Sequence, residues 1–107
     1  MQTRTEQVGD ELVLSLEGEI GIADAVRLRE ELVGAFDRAG QVTVDLAGAE
    51  DMDTAAIQLL CAAEHTARKR KKAFSLRNTS EGVLQSVGLL GLGEAAPYAS
   101  AGEEVRP

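Results

Sequence analysis

The sequence has no tryptophan, one tyrosine and two phenylalanines among 107 residues. Its core must therefore be aliphatic, and a site that works by stacking ligands on aromatic faces is not expected. One cysteine, Cys61, rules out an internal disulfide and fits a reducing compartment. No apolar run reaches the roughly 20 residues of a membrane-spanning helix. The first residues, Met1 to Glu6, lack the apolar stretch of a signal peptide. A cytoplasmic location and no direct membrane insertion are expected. Basic residues are in deficit, 11 against 18 acidic, for a net charge of −7. That balance disfavours nucleic acid and anionic surfaces as partners.

What is present is an ordinary hydrophobic fraction, 44%, in a chain long enough for one domain. Residues 3–8 predict an edge strand, and Gly9-Asp10 a turn. From Glu11 to Glu17 the leucines at 12, 14 and 16 alternate with Val13, Ser15 and Glu17, the period of a half-buried strand. Gly18 to Ile22 is expected as a loop with two exposed isoleucines, Ile20 and Ile22. The period then lengthens: Ala25, Leu28, Leu32, Ala35, Phe36 and Ala39 share a helical face, with Asp24 as cap and Gly40 as stop. Gln41 to Leu46 predicts a central strand, residues 47–53 an acidic loop, and Thr54 to about Lys71 a second helix. Phe74 and Leu76 alternate with Ser75 and Arg77 as a further strand. Asn78 and Glu81 have the spacing of a capping box for a third helix, ending at Gly88. Leu89, Leu90 and Leu92 are expected to cover the core or begin a short strand. Residues 93–107 predict a mobile tail anchored by Tyr98. The order β-β-α-β-α-β-α implies an α/β sheet with parallel crossovers and an N-terminal hairpin.

The chain centres on the junction between the strand at Val42 and the helix that begins near Thr54. At 100° per residue with Ile57 at zero, Ala56, Leu60, Ala63 and Ala67 fall between about 240° and 300° and form a core stripe. Thr54, Gln58, Cys61, His65 and Lys72 fall between about 40° and 100°, facing outward, with Ile57 bordering that exposed face. Asp53 is the expected N-cap. A phosphate on Thr54 would sit at the positive end of the helix dipole, beside free backbone amides. Asp53, Asp51 and Glu50 would oppose its charge.

Other constellations carry less. Asp45, Asp51 and Asp53 could suggest a magnesium site, but caps and turns account for them. His65 and Cys61 lie one turn apart on a convex face, which supplies no cleft to lower a thiol pKa. Arg68-Lys69-Arg70-Lys71-Lys72 reads as helix-end charge complementing the dipole, with contact to an acidic partner or a membrane-bound complex as the alternative. Gly18-x-x-Gly21 precedes no Lys-Ser/Thr pair and is not a phosphate loop.

Asp45-Leu46-Ala47, the later run Met52-Asp53-Thr54-Ala55-Ala56-Ile57 and the small apolar helix after it resemble the STAS domain of anti-sigma-factor antagonists. The resemblance extends to Leu14 through Ile20, Leu76-Arg77-Asn78 and Val87-Gly88-Leu89. It implies a small mixed β-sheet with helices packed mainly on one side. It also implies a non-enzymatic module that binds a protein partner around the helix after the Asp-Ser/Thr motif. In the sigma-regulating branch a kinase phosphorylates the residue matched by Thr54 and breaks the complex. Gly21 stands where the sporulation branch has an acidic residue, and Ala56 where a glycine is usual. The Asp-Thr-Ala form is nearer the phospholipid-transport and chemotaxis-associated branches.

The resulting expectation is an α/β, STAS-like domain over residues 1–92 and a tail over 93–107. It has no catalytic residue, no metal and no cofactor. Thr54 is the phosphoacceptor candidate. Asp53, Thr54, Ile57, Gln58, Cys61, Glu19, Ile20, Gly21 and Ile22 are the partner-binding candidates. The partner would be a protein: an anti-sigma factor or kinase, a transporter ATPase or a chemotaxis protein. The module would act in signal transduction and transcription regulation as a phosphoprotein. The alternative is a constitutive subunit of a phospholipid transporter or chemotaxis assembly, with Thr54 a contact residue only. A weak homodimer is left open.

Overall fold

A computed structural model describes residues 1–92 together with Pro97 and Tyr98. The elements are β1 (Gln2–Val8), β2 (Glu11–Ile20), a 3-10 turn (Ile22–Asp24), α1 (Ala25–Arg38), β3 (Gln41–Met52), α2 (Thr54–Lys69), β4 (Ala73–Arg77) and α3 (Glu81–Leu89). The four strands lie in the order β1-β2-β3-β4. β1 pairs antiparallel with β2, and the pairs β2-β3 and β3-β4 are parallel. This is the mixed sheet with an N-terminal hairpin that the sequence predicts. α1 and α2 are the crossovers that parallel neighbours require.

The core lies on one face of the sheet. Leu12, Leu14 and Leu16 of β2 and Val42, Val44 and Leu46 of β3 are buried there under Leu28, Leu32 and Phe36 of α1 and Ala56, Leu60, Ala63 and Ala67 of α2. The alanines let α2 approach the sheet closely. Phe36 and Phe74 meet with ring centroids 5.9 Å apart. On the other face Thr43 and Ser75 share a hydrogen bond at 3.1 Å, and Arg77 pairs with Asp45 at 2.9 Å.

Two expected loops are corrected to strand. The acidic loop over 47–53 is strand as far as Met52: β3 runs on, pairing Gly48 with Glu17, Ala49 with Gly18, Asp51 with Glu19 and Met52 with Ile20. Two register shifts absorb extra residues on β3, which bends and twists the strand. Gly48 is needed beside the first, because a Cβ there would lie 2.7 Å from Cγ of Glu17. The loop expected over Gly18–Ile22 is likewise strand to Ile20, which is 1% exposed. Alternation hid this because the bulges move Ala49 and Met52 inward out of period. Beyond Glu17 and Asp45, where pairing to β1 and β4 stops, β2 and β3 pair only with each other.

The helix ends also differ. Asp24 does not cap α1 with its side chain; its carboxylate accepts from Gly21 N at 2.9 Å and closes the 3-10 turn. Gly40 lies beyond the stop rather than forming it, its N–H donating to the Asp10 carboxylate at 2.9 Å. α2 ends at Lys69, not Lys71, in a Schellman arrangement with Lys71 at φ 56° and Lys72 N bonded to Ala67 O at 2.8 Å. Ser80, not Asn78, caps α3, accepting from Val83 N at 3.2 Å. Asn78 is left-handed, φ 58°, and donates to Asp45 instead. α3 passes Gly88 and is stopped by Gly91 at φ 73°. Leu89 is 90% exposed and forms no strand. Of the tail, residues 93–96 and 99–107 lie outside the described residues, while Tyr98 is buried.

Candidate functional site

Parallel pairing of β2 and β3 brings the two predicted partner-binding segments side by side. Asp53 N donates to Ile20 O at 3.0 Å, so the β2 end and the start of α2 are directly bonded. Asp53 is extended, φ −80° and ψ 174°, and its Oδ1 accepts from Ala56 N at 3.2 Å. This is the expected N-cap. Its carbonyl accepts from Ile57 N at 3.0 Å. The amides of Thr54 and Ala55 have no hydrogen-bond partner among the described residues, as first-turn amides of a helix have none within it.

Thr54 is exposed, and Gln58 is exposed one turn on; His65 continues the same face. The Thr54 hydroxyl makes no side-chain hydrogen bond among the described residues. Across from it, Gly21 and Asp24 tighten the 3-10 turn, with Asp24 N bonded to Gly21 O at 3.0 Å, and Ile22 is left 75% exposed. Glu19, Glu50 and Asp51 are also exposed, and Asp53 is half-buried, so the surface around Thr54 is acidic.

Nine candidate contact residues therefore separate by exposure. Thr54, Gln58, Glu19 and Ile22 are open to a partner; Asp53, Gly21 and Cys61 are half-buried. Ile20 and Ile57 are core residues, each 1% exposed, and the expectation that they face outward is corrected. The Ile57 carbonyl is engaged as well: the Tyr98 hydroxyl donates to it at 2.7 Å. The only signal for this in the sequence is that Tyr98 is the single large aromatic near the C-terminus.

The remaining chemistry is structural. Burial pushes the Cys61 thiol pKa up, away from the thiolate a nucleophile needs. The Asp45 carboxylate accepts from Ala47 N, from Arg77 and from Asn78, tying β3 to the β4–α3 connection. Burial alone would raise its pKa; these hydrogen bonds and the Arg77 charge outweigh it and hold the pKa below the usual carboxylate range. Asp51 Oδ1 accepts from Met52 N, and Asp53 is the cap. Among the described residues no three His, Cys, Asp or Glu side chains are grouped to hold a metal ion. The basic run is largely spent on neighbours: Arg68 pairs with Glu64 at 3.2 Å, Arg70 with Asp37 at 2.8 Å, and Lys72 Nζ reaches the carbonyls of Phe36 and Ala39. Lys72 thus complements the dipole of α1 rather than of its own helix. No described helix is long and apolar enough to cross a membrane.

A family model described as Mlab, STAS domain matches residues 3–98. No curated protein sequence matches the chain. Among solved structures, an anti-sigma factor antagonist from Mycobacterium paratuberculosis is similar with TM-score 0.75 at 21% identity, over 99% of this chain and 94% of that one. The phosphorylated Bacillus cell fate determinant SpoIIAA is similar with TM-score 0.69 at 19% identity, over 98% and 100%. The murine solute carrier 26 family member A9 anion transporter is similar with TM-score 0.73 at 14% identity, over 90% of this chain and 16% of the transporter. At these identities the likeness is one of fold.

Proposed function

The chain belongs to the STAS domain family, and we propose that it is a regulatory interaction module whose protein partner docks on the surface around Thr54. Glu19, Ile22, Thr54 and Gln58 form the accessible contact set, with Asp53, Gly21 and Cys61 at its edge. The observation that carries this reading is the exposed Thr54 at the first position of α2, its hydroxyl without a hydrogen-bond partner among the described residues, next to Asp53, which is bonded to the end of the strand that leads into the Ile22 turn. A kinase would transfer the γ-phosphoryl of ATP to Thr54 Oγ1, with loss of the hydroxyl proton. The phosphate would bring about two further negative charges to a surface that already carries Glu19, Glu50, Asp51 and Asp53. A partner matched to that acidic surface would be repositioned or released. The phosphorylated form of the Bacillus relative supports this reading by fold.

The second reading is a constitutive subunit of a transport or chemotaxis assembly, with Thr54 used for contact alone. The fully buried Ala56 in place of the usual glycine and the matching family description favour it.

Partner recovery by wild type, Thr54→Ala and Thr54→Glu tests the site. Loss of at least about 30-fold in affinity with Thr54→Glu is expected for a central contact; equal recovery in all three would sink the proposal. Mass spectrometry of native protein separates the readings: phosphate on Thr54 supports the switch, and its persistent absence supports the constitutive subunit.

A further inference from the structure

α1 has two apolar faces. Leu28, Leu32, Ala35 and Phe36 are buried in the core. On the opposite side Val26 and Val33 are 70% and 46% exposed. Val26 and Val33 stand seven residues apart and so lie on one stripe of α1. On a wheel centred on Val26, Arg29 falls near about −60° and Glu30 near about +40°, on opposite flanks at almost one height. Neither has an ion-pair partner among the described residues. Gly34 leaves the Glu30 flank open, since a Cβ there would meet nothing within 4 Å.

We propose that this face of α1 docks a second copy of the chain, as a parallel pair of α1 helices about a two-fold axis. In that arrangement each flank meets the opposite flank of the other helix. Arg29 therefore meets Glu30 of the second copy, and Glu30 meets Arg29 of the second copy. In an antiparallel pair like flanks would meet, placing Arg29 against Arg29 and Glu30 against Glu30. The charge pattern thus selects the parallel pair. It also selects a second copy as occupant, because the face carries both signs and complements itself. The pair is weak for two reasons: the contact is one helix wide against about 1,600 Å² for a standard interface, and two chains of net charge −7 repel. A dissociation constant on the order of 100 µM is expected.

Sedimentation equilibrium of the full chain from about 10 µM to about 1 mM tests this. Wild type is expected to associate, and Arg29→Glu and Glu30→Arg each to associate at least tenfold more weakly. An equimolar mixture of the two variants is expected to regain association, because each copy then supplies one sign. A variant that had merely unfolded would not be rescued by mixing. In a Cys61→Ser background, Val26→Cys should cross-link to itself on oxidation. The proposal is overturned if wild type stays monomeric, if either single variant associates as wild type does, or if mixing restores nothing. Cross-linking of Val26→Cys only to Val33→Cys would overturn it too, by reporting an antiparallel pair.

Discussion

Tyr98 offers a test that needs no partner. It is the only tyrosine in the chain, it is buried, and its hydroxyl is held by Ile57 O. Burial, and then the neighbouring Cys61 thiolate, push its pKa far above the ordinary value of 10. The folded chain therefore keeps the phenol neutral where the unfolded chain ionises. The stabilisation is complete below about pH 10 and declines above it by about 1.4 kcal/mol per pH unit. By about pH 11.5 roughly 2 kcal/mol is lost, a large share of the 5–15 kcal/mol typical of a domain. Cys61, also raised by burial, acts in the same direction from a lower pH, so the comparison is made in a Cys61→Ser background. Urea midpoints at stepped pH are the assay, with tyrosinate absorbance read on the same samples. Tyr98→Phe is expected to flatten the alkaline decline while costing about 1 kcal/mol at neutral pH for the lost hydrogen bond. Tyr98→Ala is expected to cost about 3–5 kcal/mol, and deletion of residues 93–107 at least as much. A reversible tyrosinate titration near pH 10 in a chain that stays folded would refute the reasoning.

Two further predictions follow from the hydrogen-bond networks. Asp45→Asn is expected to cost about 2 kcal/mol at neutral pH, because it removes the charge that Arg77 and Asn78 bind. Since the folded pKa lies below the unfolded one, wild type loses this contribution as pH falls below about 4, and the variant's acid limb in stepped-pH urea melts should be shallower. Lys72→Met is expected to cost about 1 kcal/mol in the same melts, and to speed amide exchange in the last turn of α1, whose carbonyls Lys72 binds.

The element order, the parallel crossovers and the outward Thr54 were legible because periodicity reports which side of an element meets the core. Leu12, Leu14 and Leu16 announce β2, and the alanines at 56, 63 and 67 announce the packed side of α2. Periodicity failed where two extra residues on β3 reset the alternation, so Gly48 to Met52 looked like loop. It failed again at Ile57, which is buried, since a wheel drawn for one helix cannot show what the rest of the chain brings to its border; Tyr98, 41 residues away, binds the Ile57 carbonyl. Asn78 and Glu81 have capping-box spacing, but Asp45, 33 residues back in sequence from Asn78, claimed the amide and left the cap to Ser80. The second apolar face of α1 was in plain view, masked by the stronger core face.

The length of β2 and β3 beyond their neighbours decides how the contact surface is held. Residues 18–20 and 48–52 form a two-stranded ribbon with no third strand on either side among the described residues. Ile20, Ala49 and Met52 are its inward, buried side chains, so packing and not a third strand fixes it to the domain. Thr54 is mounted at the end of that ribbon through the bond from Asp53 N to Ile20 O. A partner that grips both Ile22 and Thr54 would therefore bear on a surface whose position is set by three core side chains.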